Sequence, residues 1–152
     1  MEILIDDLSD GAIIKLLSSH LREMHKYSPP ESIHALDVGS LKEPGITFWG
    51  ARVDGNLVGC GALKELSSSC GEVKSMKTEE SFLRSGIAAK ILEQIITEAD
   101  HRSYTELKLE TGSNKAFIPA ITLYEKFGFK ECGPFGEYKL DPYSKFFIKP
   151  MK

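Results

Sequence analysis

The second half of the chain alternates between two periodicities, and this constrains the fold more than any other feature of the sequence. Residues 72–78 read as a strand, and in residues 105–111 Leu107 and Leu109 alternate with Glu106, Lys108 and Glu110, the period of a strand. Between them Ile87, Ile91, Ile95 and Ala99 recur at helical spacing over residues 86–102, with Leu92 adjoining. A second helical stretch over 116–127 ends at Gly128, and short strands follow at 129–132 and 144–149. Strand, helix, strand, helix, strand is the order that crossover helices impose on a sheet with parallel pairing. The first half has a different pattern. A strand over 2–5 precedes a helix capped by Ser9 or Asp10, which carries Ile13, Leu17, Leu21 and Met24 and stops at Pro29-Pro30. A short helix and loop over 31–41 lead to strands at 46–53 and 56–66, joined by Asp54-Gly55, a pair that tolerates the positive φ of a tight hairpin. Gly59 and Gly61 in the return strand suggest a bulge or close backbone packing. A meander followed by alternation predicts an α/β domain with a mixed central sheet of six to seven strands flanked by helices.

Composition fixes the scale. The chain has 152 residues, 41% of them hydrophobic, enough for one domain (1–152) with its own core. Its 19 Lys+Arg against 22 Asp+Glu are scattered with no run of five like charges, which argues against nucleic acid as a partner. No apolar stretch approaches the roughly 18 residues of a membrane helix, and the start lacks a signal-peptide core; no membrane association and a cytoplasmic location are expected. Cys60, Cys70 and Cys132 show no Cys-x-x-Cys spacing, so reduced thiols and no metal are expected.

The most informative junction is residues 76–89, where a strand passes into Leu83-Arg84-Ser85-Gly86-Ile87-Ala88-Ala89. A small-residue loop opening a long helix presents free backbone N–H groups at the positive end of the helix dipole, a ready site for a pyrophosphate. Gly86 and Ala88 keep the backbone bare, and Arg84 adds a charge. The absence of a Walker lysine and of Gly-x-Gly-x-x-Gly argues against nucleoside triphosphates and dinucleotides.

About thirty residues on lies Ala120-Ile121-Thr122-Leu123-Tyr124-Glu125-Lys126-Phe127-Gly128-Phe129. In this order and spacing, with the Asp-Gly hairpin upstream, the two blocks resemble the GNAT superfamily of acetyl-CoA-dependent N-acyltransferases over residues 46–132. That family carries Arg/Gln-x-x-Gly-x-Gly/Ala at the first block and Leu-Tyr-Glu-x-x-Gly-Phe at the second. Residues 72–78, 109–113 and 132–135 look like a small bacterial subgroup without a settled substrate. Two positions depart from the pattern: Leu83 stands where Arg or Gln is usual, with Arg84 one place later, and Phe117 stands where Asn is frequent, with Asn114 nearby.

The resemblance implies acetyl transfer from acetyl-CoA to a primary amine of a small molecule or peptide, by direct attack in a ternary complex. It assigns cofactor contacts to Met76, Lys77 and Thr78 along the pantetheine arm, and to Arg84, Ser85, Gly86, Ile87, Ala88 and Ala89 at the pyrophosphate, with Asn114 as a further contact. The Met76 amide would polarise the thioester carbonyl. Glu72 aligns with a family general base, Glu110 and His34 being the alternatives, and Tyr124 with the acid that protonates the departing thiolate. His34, Ser75 and Glu110 are the candidate substrate contacts. Glu72, Lys74 and Met76 are expected to share one face of their strand. The acceptor pocket is expected between residues 27–44 and 132–145, whose Glu31, Asp37, Glu137 and Asp141 suit a cation. Phe48 and Trp49 are expected in the core, and His20, His25 and His101 on solvated helix faces. The final strand is a candidate for pairing across a homodimer. The rival function is a non-catalytic acyl-CoA-binding sensor, which would keep the loop and need neither Glu72 nor Tyr124.

Overall fold

Asp54 and Gly55, at φ of 52° and 80°, form the expected tight turn between β2 (Ile46–Val53) and β3 (Asn56–Ser67) in the computed structural model. The structure describes residues 1–9, 11–33 and 38–151, so Asp10, His34 and Asp37 lie outside the described residues. A polar turn joins β3 to β4 (Cys70–Thr78), and β1 (Glu2–Ile5) lies antiparallel on β2. With β5 (Glu106–Gly112), β6 (Lys130–Cys132) and β7 (Ser144–Pro150), the described residues form a seven-stranded sheet of order β1-β2-β3-β4-β5-β7-β6. The β4–β5 pair is parallel, the other pairings are antiparallel, and the mixed sheet expected from the sequence is present.

Helices cover both faces. On one side α3 (Ile87–His101) buries Ile87, Ile91, Leu92, Ile95 and Ala99 against Trp49, Leu63, Val73, Leu107 and Leu109, joined by α4 (Ile118–Lys126) through Tyr124. On the other, α1 (Gly11–Tyr27) and α2 (Val38–Leu41) enclose Ile13, Leu16, Leu17 and Leu41 with Phe48, Cys60 and Ala62. Phe48 and Trp49 are core residues, as expected. The expected stripe on α1 holds for Ile13 and Leu17, but Leu16 takes the next buried place while Leu21 is 41% exposed. The helix outruns the core, and its last turns border a cleft instead. Gly59 and Gly61 mark the closest approach of α3 to the sheet. A Cβ on Gly61 would lie 2.7 Å from both Ile91 Cγ2 and Met76 Sδ. Gly61→Ala is therefore expected to lower stability by about 1–3 kcal/mol, read as a lower urea midpoint at unchanged slope.

Two irregularities shape the site. β4 pairs with β5 only over residues 70–73; beyond Val73, β4 follows β3 to Thr78 while β5 follows β7 to Gly112, so the sheet splays open. Within the free part of β4 the register shifts: Ala62 faces Lys74 but Cys60 faces Lys77, and Ser75 sits at φ 56°. The extra residue is a β-bulge, and it breaks the alternation. Glu72 and Lys74 share a face, but Met76 packs against the α3 cluster, which corrects the expectation that all three lie together. The final strand also differs from its expected role. β7 is paired along one side with β5 and over Phe146–Ile148 on the other with β6, so it is an inner strand there and not the edge expected for pairing across a dimer. The 116–127 helix divides into a 3-10 turn at Lys115–Phe117 and α4, because Asn114 caps the turn and Pro119 suits a helix start.

Candidate active site

Two cavities open where β4 and β5 part, and they share a wall. The larger, of about 340 Å³, runs from Arg84 and Ala88 past Lys77 and Thr78 to Met76, Phe117 and Tyr124. The smaller, of about 110 Å³, holds Glu72, Lys74, Ser75 and Glu110, and again Met76, Phe117 and Tyr124. His20 and Met24 of α1 line both. A long ligand in the first therefore meets a small one in the second at Met76 and Tyr124.

The larger cavity ends at an amide cradle. Gly86, at φ 85° with open space where a Cβ would stand, turns the chain into α3 without a side-chain cap. Lys90 N–H bonds Gly86 O at 3.1 Å, the first rung of the helical ladder, which leaves the amides before it pointing ahead of the helix. Ile87 is 4% exposed, so only its backbone can reach a ligand. The Ser85 hydroxyl turns back to Phe82 O, and Arg84 stands at the cavity wall. Along β4, Glu79 N–H bonds Val58 O. Strand alternation on this side of the bulge then aims the Lys77 amide at β3 and that of Thr78 at the open edge. These features fit a pyrophosphate on an extended amide-bearing arm. Asn114 fits less well: its carbonyl accepts from Ala116 N–H at 2.9 Å, and it lines neither cavity. Phe117 lines both cavities, its ring edge-on to Tyr27 at 6.0 Å.

The smaller cavity is electrostatically dense. Glu72 is 2% exposed; its carboxylate accepts from Tyr138 Oη at 2.5 Å and from Lys74 Nζ at 3.2 Å, and Lys74 also donates to Tyr138 Oη at 2.8 Å. Glu110, on the same face from β5, is differently placed. Burial pushes its pKa up to about 7; the Ser144 hydroxyl and Lys74 pull it down, and the charges of Glu72 and Asp141 push it further up. Ser144 Oγ is buried without a well-formed partner among the described residues. Burial, and then the Glu110 charge, raise the pKa of Tyr124, so its phenol holds its proton at neutral pH. His20, expected on a solvated face, instead faces the cleft. Burial and then the Lys77 charge bring its pKa down to about 4 despite Glu23, so it is neutral. His25 and His101 are exposed, as expected.

The splay thus brings together Glu72, Ser75, Met76, Lys77, Thr78, Arg84, Ala88, Glu110 and Tyr124 of the sequence candidates. Sequence reasoning did not assign roles to Lys74, Tyr138, Phe117 and His20. Lys74 had a signal, lying two residues from Glu72 on a strand; Tyr138 had none, being 66 residues from its partner. Ser32 Oγ donates to Asp141 at 2.5 Å, tying the segment after α1 to the loop before β7, the two pieces expected to frame the acceptor. Among the described residues no group of His, Cys, Asp and Glu is placed to hold a metal ion, and no helix is long and apolar enough to cross a membrane.

The seven-stranded sheet is thus splayed between two parallel strands, with the start of α3 at one end of the cleft and Glu72 and Glu110 at the other. The sequence model of the acetyltransferase (GNAT) family matches residues 12–129, and the chain belongs to that family. It is 51% identical over 151 residues to the "Uncharacterized N-acetyltransferase YsnE" of Bacillus subtilis (strain 168), covering 99% of this chain and 100% of the relative. It is 45% identical over 141 residues to the "Uncharacterized N-acetyltransferase YedL" of Escherichia coli (strain K12), covering 93% and 89%. The fold matches that of the PaiA N-acetyltransferase of Thermoplasma acidophilum, solved in complex with coenzyme A, at a TM-score of 0.72 and 17% identity, covering 99% of each chain. The protein is an acyltransferase of the GNAT class.

Proposed function

We propose that the protein transfers the acetyl group of acetyl-CoA to a primary amine of a small molecule or peptide, directly within a ternary complex. The observation that carries this reading is the meeting of the two cavities at Met76 and Tyr124, one running back to Arg84 and Ala88 at the start of α3 and the other holding Glu110, whose pKa burial raises to about 7. The name N-acetyltransferase borne by both relatives supports nitrogen as the acceptor atom.

Acetyl-CoA supplies the activated acyl carbon, and the chain supplies the rest. The amides of residues 86–89 with Arg84 bind the pyrophosphate, and the Met76 and Thr78 amides bind the pantetheine arm as an added strand. An amine acceptor arrives as ammonium, with a pKa near 10, and must lose a proton before it attacks. Glu110 takes that proton: at about 7 its pKa leaves it ionised often enough to accept and basic enough to compete. Glu72, already held by Tyr138 and Lys74, is better suited to position them than to exchange protons. As the new C–N bond forms and the C–S bond breaks, Tyr124 gives its proton to the departing thiolate. Tyr124→Phe is expected to lower kcat by about 10²-fold, with acetyl-CoA affinity unchanged; an unchanged kcat would remove the acid role.

The test is release of free CoA thiol from acetyl-CoA in the presence of a panel of amines, with both substrates varied. Amine-dependent release with intersecting double-reciprocal lines is expected. Binding of acetyl-CoA with no release on any amine would favour the sensor reading, and parallel lines would contradict direct transfer.

A further inference from the structure

The loop between β6 and β7 is exposed along most of its length: Glu137 and Lys139 face solvent, and Leu140 is 87% exposed. Two residues turn inward. Phe135 is buried, and Tyr138 sits against it at 5.0 Å between ring centroids, with Phe146 of β7 at 5.9 and 5.5 Å from the two. Gly136 at φ 58° makes the turn that brings both rings to the same side, closed by Tyr138 N–H on Phe135 O at 3.0 Å. The Tyr138 hydroxyl then reaches past the aromatic cluster to Glu72 and Lys74 on β4. One side chain thus ties the loop to the strand that forms the floor of the smaller cavity, and its ring lies under the Lys74 ammonium at 5.5 Å.

We propose that Tyr138 is a positioning residue of the acceptor pocket, which ties the loop to β4 and holds the Glu72–Lys74 pair in place beside Glu110. The inference rests on the reading of Glu110 as the base. Without the hydroxyl, the ammonium and carboxylate lose the group that bridges them, and the loop loses its polar tie to β4. Water then gains access to the carboxyl next to the pair. Besides burial, the groups that set the state of Glu110 are Ser144 on β7, Lys74 and Glu72 on β4, and Asp141 in the loop; the Glu110 charge in turn raises the pKa of Tyr124 on α4 and of Tyr138 in the loop. His20 of α1 lines the same cavity and is neutral. Burial is the largest of the causes that raise the Glu110 pKa, so opening the loop lowers it.

The experiment is a pH titration by NMR of protein labelled at the glutamate side-chain carboxyl carbon, in which Glu110 is the resonance lost in Glu110→Gln. Wild type is expected to show a midpoint near 7. Tyr138→Phe keeps the aromatic cluster, and its midpoint is expected to fall by about one pH unit or more toward the ordinary carboxylate value, with a larger fall in Tyr138→Ala. The thermal shift induced by acetyl-CoA is expected to stay at its wild-type size in Tyr138→Phe, since the amide cradle is remote from the loop. A wild-type midpoint near 7 that stays or rises in Tyr138→Phe would overturn the role of Tyr138 alone. A wild-type midpoint at the ordinary carboxylate value would overturn both this inference and the assignment of the base.

Discussion

Replacing Ala88 by Asp is expected to weaken acetyl-CoA binding by about 100-fold or more, or roughly 2.7 kcal/mol, while leaving the free protein as stable as wild type or slightly more so. The two effects have opposite signs for one reason. Ala88 is the second residue of α3, half-buried at the wall of the larger cavity, in the turn whose amides precede the first helical hydrogen bond. A carboxylate there complements the helix dipole, worth about 0.3–1 kcal/mol, in a helix whose Gly86 cap offers no side chain. The same charge occupies the space a pyrophosphate needs and repels it. Thermal unfolding separates the two effects. Wild type at about 100 times the dissociation constant gains roughly 2.7 kcal/mol, and Ala88→Asp gains almost nothing at that concentration. An equal gain in both would place the pyrophosphate elsewhere.

Glu110→Gln is expected to lower kcat by about 10³-fold with acetyl-CoA binding intact. Wild-type activity should rise with pH through about 7 as Glu110 loses its proton, and this limb should disappear from the residual activity of the variant. The stability of the same pair tests the same pKa. A carboxyl whose folded pKa is raised holds its proton more tightly folded than unfolded. Its contribution is present in full below the unfolded value near 4.5 and is lost as pH rises toward about 7. Wild type should therefore lose stability relative to Glu110→Gln across that interval and no further above it, as read from urea midpoints in a pH series. A pH-independent difference would mean that Glu110 does not titrate there.

Much of this architecture is legible in local sequence, because turns and helix starts are local problems. Asp54-Gly55 specifies its hairpin, Gly86 specifies the entry to α3, and the alternation of Leu107 and Leu109 specifies the face that β5 buries. The block ending at Gly128 places Tyr124 correctly at the cleft. What escapes the sequence is non-local or is written in an unfavoured residue. Ser75 takes a positive φ without being glycine, so no residue type announces the bulge that sends Met76 to the opposite face from Lys74. The placing of β7 between β5 and β6 is set by packing of the whole sheet, which periodicity cannot reveal. The contrast between Glu72 and Glu110 is of the same kind. Both are strand glutamates, and only the folded surroundings tie one to Lys74 and Tyr138 and leave the other to titrate near neutrality.

The central claim is that one cleft holds CoA on the α3 cradle and delivers its thioester to the junction of Met76, Tyr124 and Glu110. A crystal structure of the protein with acetyl-CoA tests this most directly. The expected result has the pyrophosphate on the amides of residues 86–89, the pantetheine arm along the free edge of β4, and the sulfur within hydrogen-bonding distance of Tyr124 Oη. A pyrophosphate bound away from that cradle, or a sulfur remote from Tyr124 with the acetyl group pointing away from Glu110, would contradict the account.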